Sequence, residues 1–110
     1  MPPSELENTD LQPIAGIDRL VHEPARLMIL AVLYVVERAD FTFVMRQTGL
    51  TRGNLSSHMS RLEEAGYVEI QKEFVERVPR TLLRLTGQGR EAFEAYRRDM
   101  LGVLKALAGE

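Results

Sequence analysis

Residues 48–70 read TGLTRGNLSSHMSRLEEAGYVEI, and this stretch decides the fold of a 110-residue chain. Thr51 suits a helix N-cap, because its hydroxyl can accept from the free N–H groups of a first turn. Leu50 before it and Leu55 at the fourth helical position are spaced to form a hydrophobic staple, although Asn54 stands where a full capping box would have Glu or Gln. Gly66 is placed to end the helix. On a 100°-per-residue wheel Leu55, Met59 and Leu62 share one side. Gly53, Asn54, Ser57, Ser60 and Arg61 take the other, with Ser56 at its edge. Upstream, Phe41 and Thr42 read as a brief strand and residues 43–48 as a short helix, which Gly49 stops in a left-handed conformation. Two short helices joined by a tight glycine-containing turn make a helix-turn-helix.

The charge pattern says what the outer face meets. The chain has a formal net charge of −2, with 14 Lys and Arg against 16 Asp and Glu. Residues 41–62 nevertheless run for 22 positions with Arg46, Arg52 and Arg61 and no acid. An ordinary solvated helix face mixes Glu with Lys. This one carries small hydroxyl and amide side chains with arginine. Such residues let a helix sink into a DNA major groove about 12 Å wide. There Asn54 suits adenine, Arg52 or Arg61 suits guanine or phosphate, and the helix N-terminus offers N–H groups to phosphate. His58 lies at the flank, with three readings open: a satisfied structural histidine, a phosphate or base contact, or a metal ligand.

Working outward, residues 1–13 are polar, acidic and proline-bearing and read as a loose arm. Residues 14–21 suggest a short helical lead-in. Pro24 suits the first turn of a helix running to about Arg38, where its missing N–H costs nothing. That helix is apolar round most of its circumference, so it should touch its own domain and something else, a partner subunit being one candidate. After Gly66, residues 67–74 and 80–86 alternate as two strands. The segment between them contains Pro79, which fits only a tip or a free edge. Lys72, Arg77, Arg80 and Arg84 gather there, diluted by Glu73 and Glu76. After a helix-turn-helix, a basic hairpin reads as a wing on the DNA backbone or minor groove. Thr86 then caps a helix to about residue 108. Its positions Phe93, Tyr96, Met100, Val103 and Leu107 are spaced 3, 4, 3, 4, a coiled-coil seam suited to dimerisation, and Leu101 and Leu104 widen it.

The combination LTRGNLSSHMSRLEEAGYVEI followed by PRTLLRLTGQGREAFEAY resembles winged-helix transcriptional regulators of the MarR and ArsR type. Within that superfamily it is most similar to short bacterial and archaeal proteins with a Leu-Thr-x-Gly-Asn-Leu-Ser-x-His core and a later Pro-Arg-Thr. The resemblance covers roughly residues 21–96. It implies a homodimeric regulator with one helix in the major groove and the last helix in the dimer interface. Carried over, Thr51, Arg52, Asn54, Ser56, Ser57 and Arg61 fall on recognition-helix positions, and Arg77 and Arg80 on the wing. Metal-sensing ArsR proteins use cysteines, and this chain has none. Larger MarR proteins carry extra helices that frame a ligand pocket.

The expected architecture is therefore α+β, mainly helical: an acidic arm over 1–13, a winged helix-turn-helix over 14–86, and a C-terminal dimerisation helix over 87–110 packed on the same domain. The expected DNA-binding residues are Thr51, Arg52, Asn54, Ser56, Ser57, His58, Ser60, Arg61, Arg77 and Arg80. The expected partners are double-stranded DNA, a second copy of the chain, and an unidentified small-molecule effector. No membrane partner is expected. Without cysteine there is no disulfide, thiolate catalysis or sulfur-built metal site. Neither histidine sits in an evident catalytic arrangement, so no enzyme, metal or cofactor is expected. Gly87-Gln88-Gly89-Arg90-Glu91-Ala92 fits G-x-G-x-x-A, but a dinucleotide site also needs a parallel βαβ unit, which the sequence lacks. The ten-residue apolar run 27–36 is too short to span a bilayer, which needs about 20 residues, and a cytoplasmic location is expected. The competing reading is a winged helix whose outer face docks another protein and not DNA.

Overall fold

A computed structural model describes residues 11–109, so the arm lies outside the described residues except for its last three positions. Gln12 and Pro13 open a four-residue helix α1 (Gln12–Ala15), and bends follow to residue 23. The helical lead-in is thus shorter and earlier than residues 14–21. α2 (Pro24–Val36) has Pro24 in its first turn, as expected, and the Glu23 side chain caps it by accepting from Arg26 N. The helix ends two residues before Arg38, because Glu37 turns to a positive φ of 68°.

Residues 38–40 are then extended as β1 (Arg38–Asp40). This corrects the expected strand at Phe41 and Thr42, which instead open helix α3 (Phe41–Thr48) behind an Asp40 cap. Asp40 accepts from Phe43 N at 2.8 Å, and that capping bond fixes the helix start. Gly49 ends α3 at φ 73°, its N–H bonded to Met45 O. Thr51 caps α4 (Arg52–Glu64) through its hydroxyl to Asn54 N, and Gly66 turns the chain away at φ 82°.

The strands β2 (Val68–Val75) and β3 (Val78–Leu85) form a hairpin longer and tighter than the sequence suggests. Its turn is only Glu76 and Arg77, at φ 51° and 69°. The sheet is antiparallel in order β1-β3-β2. Since β1 reaches only from Arg38↔Arg84 to Asp40↔Leu82, residues 78–81 of β3 keep one free edge. Pro79 sits in that stretch opposite Phe74, where its missing N–H breaks no ladder.

α5 (Gly87–Leu107) follows, capped by Thr86 through Gly89 N. A Cβ on Gly89 would lie 2.1 Å from the Tyr67 carbonyl oxygen. The second glycine of the GxGxxA pattern is therefore there for helix-to-strand contact.

The core is the meeting of four elements. Ile29, Leu30 and Leu33 of α2, Val44 of α3, Leu55, Met59 and Leu62 of α4, and Val68, Leu83 and Leu85 of the hairpin are buried together. Phe93 of α5 joins this cluster, and Val103 is buried as well. Two of the five seam residues thus face the chain's own interior. α5 also packs on α1 and α2. The apolar residues it leaves exposed are Leu101, Leu104 and Leu107. No helix among the described residues is long and apolar enough to cross a membrane.

Candidate nucleic-acid interface

With Leu55, Met59 and Leu62 fully or almost fully buried, α4 has one rotational setting, and it turns Arg52, Gly53, Asn54, Ser56, Ser57, Ser60 and Arg61 outward. Thr51 is exposed at the entrance, its hydroxyl occupied by the cap at 3.2 Å from Asn54 N. Ser60 donates back to Ser56 O at 3.1 Å, so the hydroxyl is tied to its own helix. The Arg61 guanidinium has no ion-pair or hydrogen-bond partner among the described residues; the residue's carbonyl accepts from Ala65 N. Arg52 does not float free: its guanidinium stands 5.3 Å from the centre of the Phe41 ring. Cation–π contact of this kind holds an arginine in place without neutralising it.

Beside α4 the inner side of the hairpin forms the second wall of a groove of about 660 Å³. Arg52, Ser56 and Ser60 line it from the helix, with Lys72 and Thr81, a cross-strand pair, from the wing. Cations and hydroxyls on opposite walls suit a phosphodiester strand. Glu63 lines the groove as well and sets one acid against its two cations.

At the wing, Arg77 occupies the turn and is exposed. Arg80 is partly committed, with Nη2 at 3.7 Å from Asp40 Oδ2. Arg84, further down β3, pairs with Glu69 across the ladder. Backbone at positive φ costs a non-glycine residue roughly 1–2 kcal/mol. The hairpin accepts this at both Glu76 and Arg77.

His58 turns from the outer face toward α2. Its Nδ1 lies 3.2 Å from Arg26 Nη1, and since a guanidinium can only donate, the ring nitrogen accepts. Arg26 is buried, 8% exposed, and also donates from Nε to Leu20 O at 2.6 Å. Glu23 Oε2 completes the group at 3.9 Å from both His58 Nδ1 and Arg26 Nη1. Desolvation opposes ionisation of Glu23. The N–H groups of Arg26 and Ala25, with the electrostatic pull of neighbouring His58 and Arg26, outweigh it and hold the carboxyl below its ordinary 4.5. A second tether lies nearby. Asp18 accepts from Leu20 N, Val21 N and the Tyr67 hydroxyl. That bond, partial burial and the Asp18 charge push the Tyr67 phenol up to about 12. His22 Nδ1 sits 2.8 Å from Tyr96 Oη, so a seam residue of α5 is also engaged within the chain.

The geometry thus brings Arg52, Asn54, Ser56, Ser57, Ser60 and Arg61 onto one exposed face, with the wing beside it. It sets His58 apart, against Arg26. Sequence reasoning missed Thr81 and the pose of Arg52 on Phe41. It recorded Lys72 only as a charge near the wing. Each of these depends on which strand faces α4, and a linear pattern does not carry that. Among the described residues no group of three or more His, Asp or Glu side chains is arranged to hold a metal.

Comparison with known proteins agrees with this geometry. The winged helix DNA-binding domain family matches residues 25–104. An uncharacterised protein of Methanocaldococcus jannaschii is 34% identical over 87 residues, covering 79% of this chain and 95% of that one. A transcriptional regulator homologue from Pyrococcus horikoshii OT3 superposes with a TM-score of 0.80 at 29% identity, covering 94% of this chain and 97% of that one. Apo MarR of E. coli shares the fold, with a TM-score of 0.66 at 17% identity over 99% of this chain and 84% of its own. The chain belongs to the winged helix DNA-binding domain family and is a DNA-binding regulator, not an enzyme.

Proposed function

We propose that two copies of this chain bind a pseudo-palindromic operator, with α4 of each copy in successive major grooves about 34 Å apart. The observation that carries this reading is the outer face of α4, exposed at Asn54, Ser57 and Arg61 within a chain segment that has no acid from Phe41 through Leu62. In this reading Asn54, Ser57 and Arg61 meet base edges. Thr51, Arg52, Ser56, Ser60 and Lys72 hold phosphate or sugar, and Arg77 and Arg80 follow the neighbouring backbone or minor groove. The exposed Leu101, Leu104 and Leu107, with half-buried Met100, supply the contact between copies. An apolar pocket of about 310 Å³ lined by Ala31, Val32, Val35, Val36, Phe43 and Gln47 supports regulation by a small apolar effector.

Salt dependence tests the reading. Log affinity for an operator selected from genomic fragments should fall linearly with log salt concentration. Arg61→Ala should weaken operator binding by roughly 1–3 kcal/mol and relax preference at one base position. A flat salt response on operator and random DNA alike would transfer the face to a protein partner.

A further inference from the structure

The wing ends in something a phosphate-binding hairpin has no need of. Phe74 is 76% exposed and Val78 62%, and Val75 and Pro79 are exposed beside them. They form two directly opposed pairs, Phe74↔Pro79 and Val75↔Val78, immediately before and after the two-residue turn. An isolated exposed apolar residue is unremarkable, but here one opposed pair lies on each face of the ribbon's end, so the tip is apolar on both sides.

Strand alternation fixes which way the larger pair looks. Side chains two apart along a strand share a face. Val68 and Ile70 pack into the core with α4, Lys72 lines the groove shared with α4, and Phe74 is the next residue on that face. On β3, Leu85, Leu83, Thr81 and Pro79 follow in the same order. One face of the hairpin therefore runs from core, through the cation–hydroxyl pair Lys72 and Thr81, to an aromatic ring and a pyrrolidine ring. Arg77 stands just beyond them.

We infer that Phe74 and Pro79 form an apolar blade that enters the minor groove next to the base pairs read by α4, lies against deoxyribose, and partly opens a base step. This rests on the proposed binding of DNA by α4. The partner is chosen by charge and shape. The groove that leads to the blade is cationic on both walls, and Arg77 flanks the blade on the other side. Those cations call for an anionic partner, and the two rings between them call for an apolar wall beside it. Minor-groove walls offer apolar sugar surface, and apolar wedges there unstack steps and bend the duplex. The two-residue turn keeps the ribbon two strands wide to its end, so the rings of Phe74 and Pro79 stand close to its tip. Flexible pyrimidine–purine steps and A·T-rich flanks open most readily, so the blade would add sequence preference outside the bases α4 touches.

The test compares the full chain with Phe74→Ser, Phe74→Leu and Arg77→Ala on the selected operator. It uses anisotropy for affinity, energy transfer between duplex ends for bending, and a set of A·T-rich and G·C-rich flanks for preference. Phe74 contributes nothing to the core, so the variants fold, and thermal unfolding checks this. Phe74→Ser should bind roughly tenfold more weakly with the salt slope unchanged, lose the bend, and no longer distinguish the flanks. Phe74→Leu should recover most of the bend. Arg77→Ala should instead lower the salt slope by about one and keep the bend. Unchanged affinity, bend and flank preference in Phe74→Ser would overturn the blade while leaving DNA binding intact. So would a change in sedimentation with Phe74→Ser, since the patch would then be a contact between copies. No binding by the unmodified chain would instead overturn the reading on which the blade rests.

Discussion

The residue with the most structural consequence is Arg26, a buried arginine in a small domain. It donates to two acceptors with no other donor among the described residues, the Leu20 carbonyl and His58 Nδ1. Removing a buried donor leaves its acceptors desolvated and unpaired. Arg26→Ala should therefore cost roughly 2–4 kcal/mol in denaturant unfolding, far more than a surface arginine. Sequence could not reveal this, because Arg26 and His58 are 32 positions apart and an arginine on an amphipathic helix reads as solvated. Glu23 adds a pH signature. Its carboxyl is held below its ordinary 4.5 in the folded chain, so its charge stabilises the fold above that value. The contribution fades as pH falls through the depressed value. The melting temperature of Glu23→Gln should thus lie below that of the unmodified chain at neutral pH, and the difference should close on acidification below 4.5.

At the level of elements, what was legible in sequence is what is decided locally. The start of α4 follows from Thr51, its inward face from Leu55, Met59 and Leu62, and the end of α3 from Gly49, all within a few residues of one another. β1 was misplaced because Arg38-Ala39-Asp40 has no alternation of its own and exists by pairing with β3, more than 40 residues away. The 3, 4, 3, 4 spacing on α5 was real, but periodicity does not say whether the face it marks meets the same chain or another. Phe93 and Val103 took the first option. Gly53 offers a test of the proposed groove binding at the level of one helix. A Cβ there would meet nothing within 4 Å, and alanine is about 1 kcal/mol more favourable than glycine inside a helix. Gly53→Ala should therefore raise the melting temperature. It should also lower operator affinity if α4 sits deep in the groove, and unfolding and binding measured on one preparation would show the opposed signs.

The whole molecule is long for its mass, 65 × 24 × 21 Å, with α5 alone about 31 Å from end to end. An extended helix with Leu101, Leu104 and Leu107 uncovered is costly to keep in water and inexpensive once matched by a second copy. Leu104→Glu should shift the sedimentation of the chain toward the single-copy mass and weaken binding to a two-site operator much more than to a half-site. An unbroken helix that begins at the sheet and finishes in a sticky row is also a yardstick. One extra residue ahead of Leu101 would swivel that row by about 100° and turn buried Val103 out of its packing, whereas seven would return both nearly to their heading about 10 Å further out. If two copies bind as proposed, the spacing between repeats could be matched by whole-heptad changes in this rod, with Asn54, Ser57 and Arg61 left as they stand.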